Sequence, residues 1–150
     1  MTVRSVRALG SALVAAAFLA ACGGSDDSPM APGDGGDDRV VLMDPSFATD
    51  IQEIILRRGC SASQCHGSGE GGMTLTNSAS SNYNAWVGVE STSEPSFLRV
   101  EPGDPDNSYV VIKLEGRQSA GARMPLGASP LDDVDLTNIR NWIAAGAQNN

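Results

Sequence analysis

Two cysteines and the only histidine of this 150-residue chain lie close together in one short segment. The segment reads Cys60-Ser-Ala-Ser-Gln-Cys65-His66-Gly67. A histidine directly after the second of two closely spaced thiols is typical of covalent haem attachment, for which the common pattern is C-x-x-C-H. The thiols meet the two vinyl groups of the porphyrin, and the histidine becomes an axial ligand of the iron. Here four residues separate the thiols, and the longer loop can bulge outward while spanning the same distance.

Three other interpretations of these residues stay open. A Cys60–Cys65 disulfide is natural in an exported protein, and His66 would then be a surface residue. The chain would in that case be a non-haem lipoprotein that acts as a binding module. Zinc binding lacks a fourth ligand, because two cysteines and one histidine supply only three. A redox-active dithiol is disfavoured because the spacing is not C-x-x-C and no alternation of strands and helices surrounds it.

Residues 1–21 have the features of an export signal. Arg4 and Arg7 give a basic start, and the apolar run that follows is too short for a permanent membrane-spanning helix. The sequence Leu-Ala-Ala-Cys22 resembles the lipobox of bacterial lipoproteins, which implies cleavage before Cys22 and attachment of a diacylglyceryl group to its sulfur. Acyl chains would hold the protein on a membrane with about 0.8 kcal/mol per buried methylene. We therefore predict an exported, lipid-anchored protein, on the periplasmic face of the cell envelope or at the outer membrane.

Residues 22–39 form the predicted tether between the lipidated cysteine and a folded domain at residues 40–150. The tether is rich in Gly and Asp and lacks aromatic residues, so it cannot bury enough surface to fold. Removing the signal peptide with its two arginines leaves 8 of the 10 basic residues against 18 acidic ones, a net charge of −10. This charge argues against nucleic acid as a partner and in favour of a redox protein with a basic docking surface.

Two amphipathic helices are predicted, one at each end of the domain. The first begins at Asp-Pro-Ser46, where capping side chains and proline favour a helix start, and it ends at Gly59. The last begins with three aspartates and closes at Gly146. A short helix is expected around residues 80–87, whereas the run Tyr-Val-Val-Ile112 suits a helix or a strand equally. The apolar stripes consist of Phe47, Ile51, Ile54 and Ile55 in the first helix and of Leu136, Ile139, Trp142 and Ile143 in the last.

The iron of a bound haem would need a second axial ligand other than histidine, because His66 is the only one in the chain. Methionine serves this purpose and raises the reduction potential relative to a second histidine. Met124 is the best candidate, since it lies 58 positions beyond His66 and Pro125 stiffens the loop that presents its sulfur. Met73 follows His66 by only seven positions, a short distance from which to reach the opposite face of the ring.

The order of these motifs resembles that of the single-haem, class I-like cytochrome c domains of many exported bacterial proteins, including the planctomycete-type cytochrome c group. In that pattern an Ile/Leu-rich helix leads into Cys…Cys-His-Gly. A Pro-Gly-Asp-Pro-x-x-Ser segment, a Met-Pro pair and a closing helix with Trp-Ile and Gly-Ala follow. The counterparts here are residues 51–56, 60–67, 102–108, 124–125 and 139–147, and the longer gap between the cysteines is the main departure.

The resemblance implies an all-α, cytochrome c-like fold of three to five helices around one covalently bound haem c. The first and last helices are expected to cross, and residues 108–114 are expected to be helical. It also implies that Cys60 and Cys65 form the thioethers, that His66 is the proximal iron ligand and that Met124 is the distal one.

From the motifs and the resemblance together we expect an electron carrier, not an enzyme. It would be tethered to a membrane and transfer single electrons through a haem ligated by His66 and Met124. An open iron site that senses a ligand is the alternative if Met124 is not bound. Leu75 and Trp142 are possible haem-pocket residues, although plain core packing explains them equally well.

Overall fold

The computed structural model describes residues 39–150, so the predicted signal peptide, Cys22 and the tether up to residue 38 lie outside the described residues. The described part is all-α, with four α-helices and no strand. None of its helices combines the length and the apolar character needed to cross a bilayer. The helices are α1 (Gln52–Arg57, preceded by a π-helical turn at Phe47–Ile51), α2 (Ala79–Trp86), α3 (Tyr109–Glu115) and α4 (Asp133–Ala144), with a 3-10 turn at Glu70–Gly72 between α1 and α2.

The end of α1 fixes the position of the first cysteine of the Cys-His segment. Gly59 has a φ of +68°, which glycine adopts without steric cost. The Gly59 N–H donates to the Leu56 carbonyl at 3.0 Å, and the Cys60 N–H donates to the Ile55 carbonyl at 2.9 Å. These two bonds make a Schellman motif. The predicted helix end at Gly59 is confirmed, and Cys60 follows it directly.

α4 has the start and the end that its sequence predicts. The Asp132 side chain accepts a hydrogen bond from the Asp135 N–H at 3.0 Å, which satisfies a backbone donor of the first turn. At the other end the Gly146 N–H donates to Ile143 and the Ala147 N–H donates to Trp142, both at 2.9 Å. α1 and α4 therefore end in the same Schellman motif.

The start of the first helical segment is capped differently from what its sequence predicts. The Ser46 side chain makes no cap; instead the Asp50 carboxylate accepts from the Ser46 N–H at 2.7 Å. The Asn150 backbone carbonyl accepts from the Ala48 N–H at 2.8 Å, and its side-chain Oδ1 accepts from the Phe47 N–H at 2.9 Å. Residue 150 thus satisfies backbone donors that a helix start leaves free.

The short helices between the two ends differ in how well the sequence predicts them. α2 lies where expected, and its Ser78 side chain accepts from the Ser81 N–H. The ambiguous run before Ile112 is helical, begins after Ser108 and ends at Gly116, whose φ is +77°. Propensity alone favours neither state for this run, so packing against the rest of the domain decides it.

The apolar stripes of the first helical segment and α4 pack against each other. Their side chains belong to one buried core, and the rings of Phe47 and Trp142 lie 5.0 Å apart between centroids. Contacts of this kind are the main source of stability for short helices. The isoleucines Ile51, Ile55, Ile139 and Ile143 belong to this core, and none is more than 2% exposed.

Candidate functional site

A large cavity opens beside the core, and all four helices contribute to its wall. Its volume is about 920 Å³ when the open space at its mouth is included. Most of the side chains that line it are apolar. Four residues predicted from the sequence line this cavity: Cys60, His66, Leu75 and Met124.

His66 is held by four hydrogen bonds in the loop after α1, one of them from the Gly69 N–H to the His66 carbonyl at 3.4 Å. Its N–H donates to the Cys60 carbonyl at 3.0 Å, and its own carbonyl accepts from the Leu75 N–H at 2.9 Å. The ring Nδ1 lies 2.7 Å from the Glu70 carbonyl. A carbonyl only accepts, so Nδ1 carries the proton and Nε2 keeps its lone pair in the neutral ring. Metal-bound histidines are usually oriented in this way.

The two cysteines are free thiols in this structure. Cys60 lines the cavity, whereas Cys65 is not among the lining residues. Burial raises the pKa of the Cys60 thiol to about 11, and the nearby Cys65 adds to the shift. Cys60 is therefore protonated at neutral pH, as expected for a thiol in an apolar wall.

Two methionines, Met73 and Met124, line the same cavity. Met124 is partly buried, and its backbone N–H donates to the Lys113 carbonyl in α3 at 2.9 Å. Met73 comes from the same stretch of chain as His66, just beyond the Glu70–Gly72 turn. The structure thus brings the predicted distal ligand to the cavity from a different part of the chain than His66.

Polar groups gather in one part of the cavity wall. The Nε1 of Trp86 is buried and has no hydrogen-bond partner among residues 39–150. Arg99 also lines the cavity, and its guanidinium donates to the Ala85 carbonyl at 2.8 Å and to the Gly72 carbonyl at 2.9 Å. A buried indole N–H without a partner is costly. An acceptor on a bound group would satisfy it.

The two predicted pocket residues differ in their location. Leu75 is 1% exposed and lines the cavity. Trp142 is equally buried but is not part of the cavity wall; its ring packs against Phe47 and Tyr83, and its Nε1 donates to the Gln148 carbonyl at 2.9 Å. The tryptophan in the wall is Trp86, on α2. Nothing in the sequence pattern separates these two tryptophans, because each lies on the apolar side of a predicted helix.

The residues of the cavity fit a haem. Cys60, His66 and Met124 supply one thiol and two side chains of the types that ligate haem iron. The remaining wall is mainly apolar, and the Trp86 N–H together with Arg99 could meet the carboxylates of a porphyrin. Within the part of the chain that the structure describes, no group of three or more His, Cys, Asp or Glu side chains could hold a metal ion by itself.

Comparisons with known proteins identify no relative. No family model matches the chain, and neither a curated protein nor a solved structure shows significant similarity to it.

Proposed function

We propose that this protein is an exported, lipid-anchored c-type cytochrome that transfers single electrons. One haem would be attached covalently through Cys60 and Cys65. His66 would be its proximal iron ligand and Met124 its distal ligand. In this role the protein is a carrier and not a catalyst.

The observation that supports this function best is the meeting of Cys60, His66 and Met124 on the wall of one apolar cavity. They lie up to 64 positions apart in the sequence, yet each is of the type that a haem centre needs. The Nδ1–H of His66 donates to the Glu70 carbonyl, so the lone pair of Nε2 is available for a metal.

The chain's own residues would supply attachment, orientation and exclusion of water. The thiols of Cys60 and Cys65 would hold the haem covalently, each as a thioether to one of its vinyl groups. When bound, the haem supplies an iron that cycles between the ferric and ferrous states. Apolar side chains around it keep water away, which together with the axial ligands sets the reduction potential.

The charge and the tether support a function at the envelope. A net charge of −10 after signal removal favours a redox partner whose docking surface is basic. A lipid on Cys22 with a flexible tether would confine the domain near the membrane and raise the local concentration of its partner.

Denaturing gel electrophoresis followed by haem-peroxidase staining tests the proposal directly. The full chain would be produced in a host that matures c-type cytochromes. We expect a stained band that survives denaturation, weaker for Cys65→Ala, and loss of the native absorption spectrum for His66→Ala. A band that never stains would refute the proposal and favour the disulfide-bonded binding module.

The third cysteine offers a matched control. Cys22→Ser should prevent lipid attachment but leave the haem stain unchanged, because Cys22 lies outside the haem segment. Loss of staining in this variant, with normal amounts of protein, would contradict the division of the three cysteines into one anchor and two thioethers.

The spectrum of the purified protein separates the electron carrier from the ligand sensor. A methionine-ligated ferric haem shows a weak far-red sulfur–iron band and, when reduced, resists carbon monoxide. A reduced protein that binds carbon monoxide freely would overturn the electron-carrier function in the form proposed here.

A further inference from the structure

The segment that brings Met124 to the cavity is a loop, residues 116–124, that leaves the end of α3. Its first residues are exposed and contain no regular secondary structure. The Arg117 N–H still bonds to the Ile112 carbonyl at 2.9 Å, as the last turn of α3. Beyond this point the position of the loop depends on contacts with other parts of the chain.

Glu94 makes two of these contacts. One oxygen of its carboxylate, Oε1, accepts from the Ser119 N–H at 2.9 Å and from the Ala120 N–H at 3.3 Å. The same oxygen accepts from the Tyr109 hydroxyl at 3.3 Å. Glu94 thus joins the middle of the loop to α3 from a segment about 25 positions earlier in the chain.

The electrostatics of Glu94 agree with this role. Partial desolvation works against ionisation, but hydrogen bonds from Ser119 and Ala120 outweigh it and lower the pKa of Glu94. The side chain is therefore a carboxylate at neutral pH, and hydrogen bonds to an ionised acceptor are the stronger kind.

Lys113 holds the same loop at a second point. Its ammonium donates to the Ala122 carbonyl and lies 6.0 Å from the centroid of the Tyr109 ring. Tyr109 and Lys113 both line the cavity. Glu94, Tyr109 and Lys113 are linked by these contacts, and together they join the cavity wall to the backbone just before Met124.

We propose that Glu94 is a positioning residue for Met124: it holds residues 119–120 against α3 and so keeps the methionine at the cavity wall. The inference rests on the proposed function, because it takes the Met124 sulfur to be an iron ligand. Glu94 itself is not a lining residue of the cavity, so it reaches Met124 only through the residues that it contacts.

The test uses the full chain matured with haem, as wild type, Glu94→Ala, Glu94→Gln and the control Glu90→Ala. Glu90 is exposed, and its replacement removes the same charge from the same region. Two quantities are measured. One is the intensity of the far-red sulfur–iron band of the ferric protein. The other is the rate at which trypsin cuts after Arg117 and Arg123, on either side of the residues that Glu94 contacts.

We expect Glu94→Ala to lose at least about half of the far-red band and to be cut about tenfold faster in the loop, as follows from losing charge-assisted hydrogen bonds to an ordered segment. Glu94→Gln keeps an acceptor and should lie between wild type and Glu94→Ala, which also provides a result if the alanine variant does not fold. Glu90→Ala should match the wild type in both measurements.

Two results would overturn the inference while leaving the cytochrome function intact. One is a Glu94→Ala protein that matches the wild type in both measurements. The other is faster cleavage with an unchanged far-red band, because the loop would then be held without any effect on the ligand. A chain that carries no covalent haem refutes the proposed function itself; the haem stain reports this separately from the cleavage rate.

Discussion

The two segments that carry the candidate iron ligands are held in different ways. Residues 60–75 are fixed by backbone hydrogen bonds, among them those from Cys60 to Ile55 and from Leu75 to His66. Residues 116–131 are held largely by side chains that reach their backbone from elsewhere, such as Glu94 at Ser119. The His66 side is therefore specified locally, whereas the Met124 side depends on distant residues.

This contrast has a physical consequence for the two ligands. Backbone bonds between near neighbours form together with the turn that contains them, so they cost little additional ordering. A loop that is held by a side chain far away in sequence requires a longer stretch of chain to be ordered, so it opens more readily. We therefore expect the Met124 segment to open at a lower free energy than the His66 segment.

The largest effect is expected from breaking the His66 segment at Gly67. A Cβ at this position would lie 2.4 Å from the Ser61 carbonyl oxygen and 2.9 Å from that of Ala62. Backbone cannot move aside as a side chain can, so Gly67→Ala should cost about 2–3 kcal/mol and lower the yield of covalent haem. Urea denaturation and haem staining measure the two effects.

Gly127→Ala is the matched control in the Met124 segment. Gly127 has a φ of +71°, and no atom lies within 4 Å of the point that a Cβ would occupy there. Alanine at this position therefore adds only backbone strain of about 1–2 kcal/mol. Equal loss of haem attachment in both variants would contradict the expectation that the His66 segment tolerates substitution less well than the Met124 segment.

An intermediate effect is expected from exchanging the methionines of the cavity. Met124→Leu should abolish the far-red band and let carbon monoxide bind the reduced protein, while its stability changes by less than about 1.5 kcal/mol because leucine fills a similar volume. Met73→Leu should keep the band, since Met73 lies on the same stretch of chain as His66. The reverse pattern in the spectra would identify Met73 as the ligand.

The smallest effect concerns Asp132, directly after the Met124 segment. Arg39 donates to Asp132 at 2.8 Å, and this hydrogen bond lowers the pKa of Asp132 below its ordinary value of 3.8. The ionised form therefore stabilises the fold above that pH, and the contribution is lost as the pH falls through the lowered pKa. Asp132→Asn keeps a helix cap but removes the ion pair, so it should cost less than about 1 kcal/mol at neutral pH.

Unfolding curves between pH 7 and pH 2.5 check the Asp132 prediction. The difference in free energy of unfolding between Asp132→Asn and wild type should become smaller below pH 3.8. High salt should make this difference smaller as well. The exposed Asp133 provides the control, since Asp133→Asn should follow the wild type across the range. If this difference instead grows in acid, the Arg39–Asp132 ion pair does not stabilise the fold as predicted.

Much of the fold could be predicted because its signals are local. Gly59, Gly146 and Asp132 define helix ends by their own conformational preferences or side chains, and the structure confirms each of them. The expected all-α class is confirmed for residues 39–150. The α3 run is ambiguous by propensity, since its β-branched residues suit a strand as well as a buried helix.

The parts that could not be predicted depend on tertiary contacts. The cap supplied by Asn150 and the loop contact of Glu94 each join residues that are distant in sequence. The position of Trp86 in the cavity wall is not marked by the sequence pattern either. A single sequence carries no mark of such pairs. Cys60, His66 and Met124 could be selected as candidates because few residue types can attach or ligate a haem, and the three line one cavity.

The hydrogen bonds from Asn150 to the first helical segment bear on the timing of assembly. A chain that emerges from its N-terminus onward presents Cys60 and His66 long before residue 150 is available to complete the start of that segment. α4, which fills the core against Phe47, also arrives late. Until then the thiols lie in an incompletely packed chain, whereas in the closed domain Cys60 and Cys65 are each partly buried.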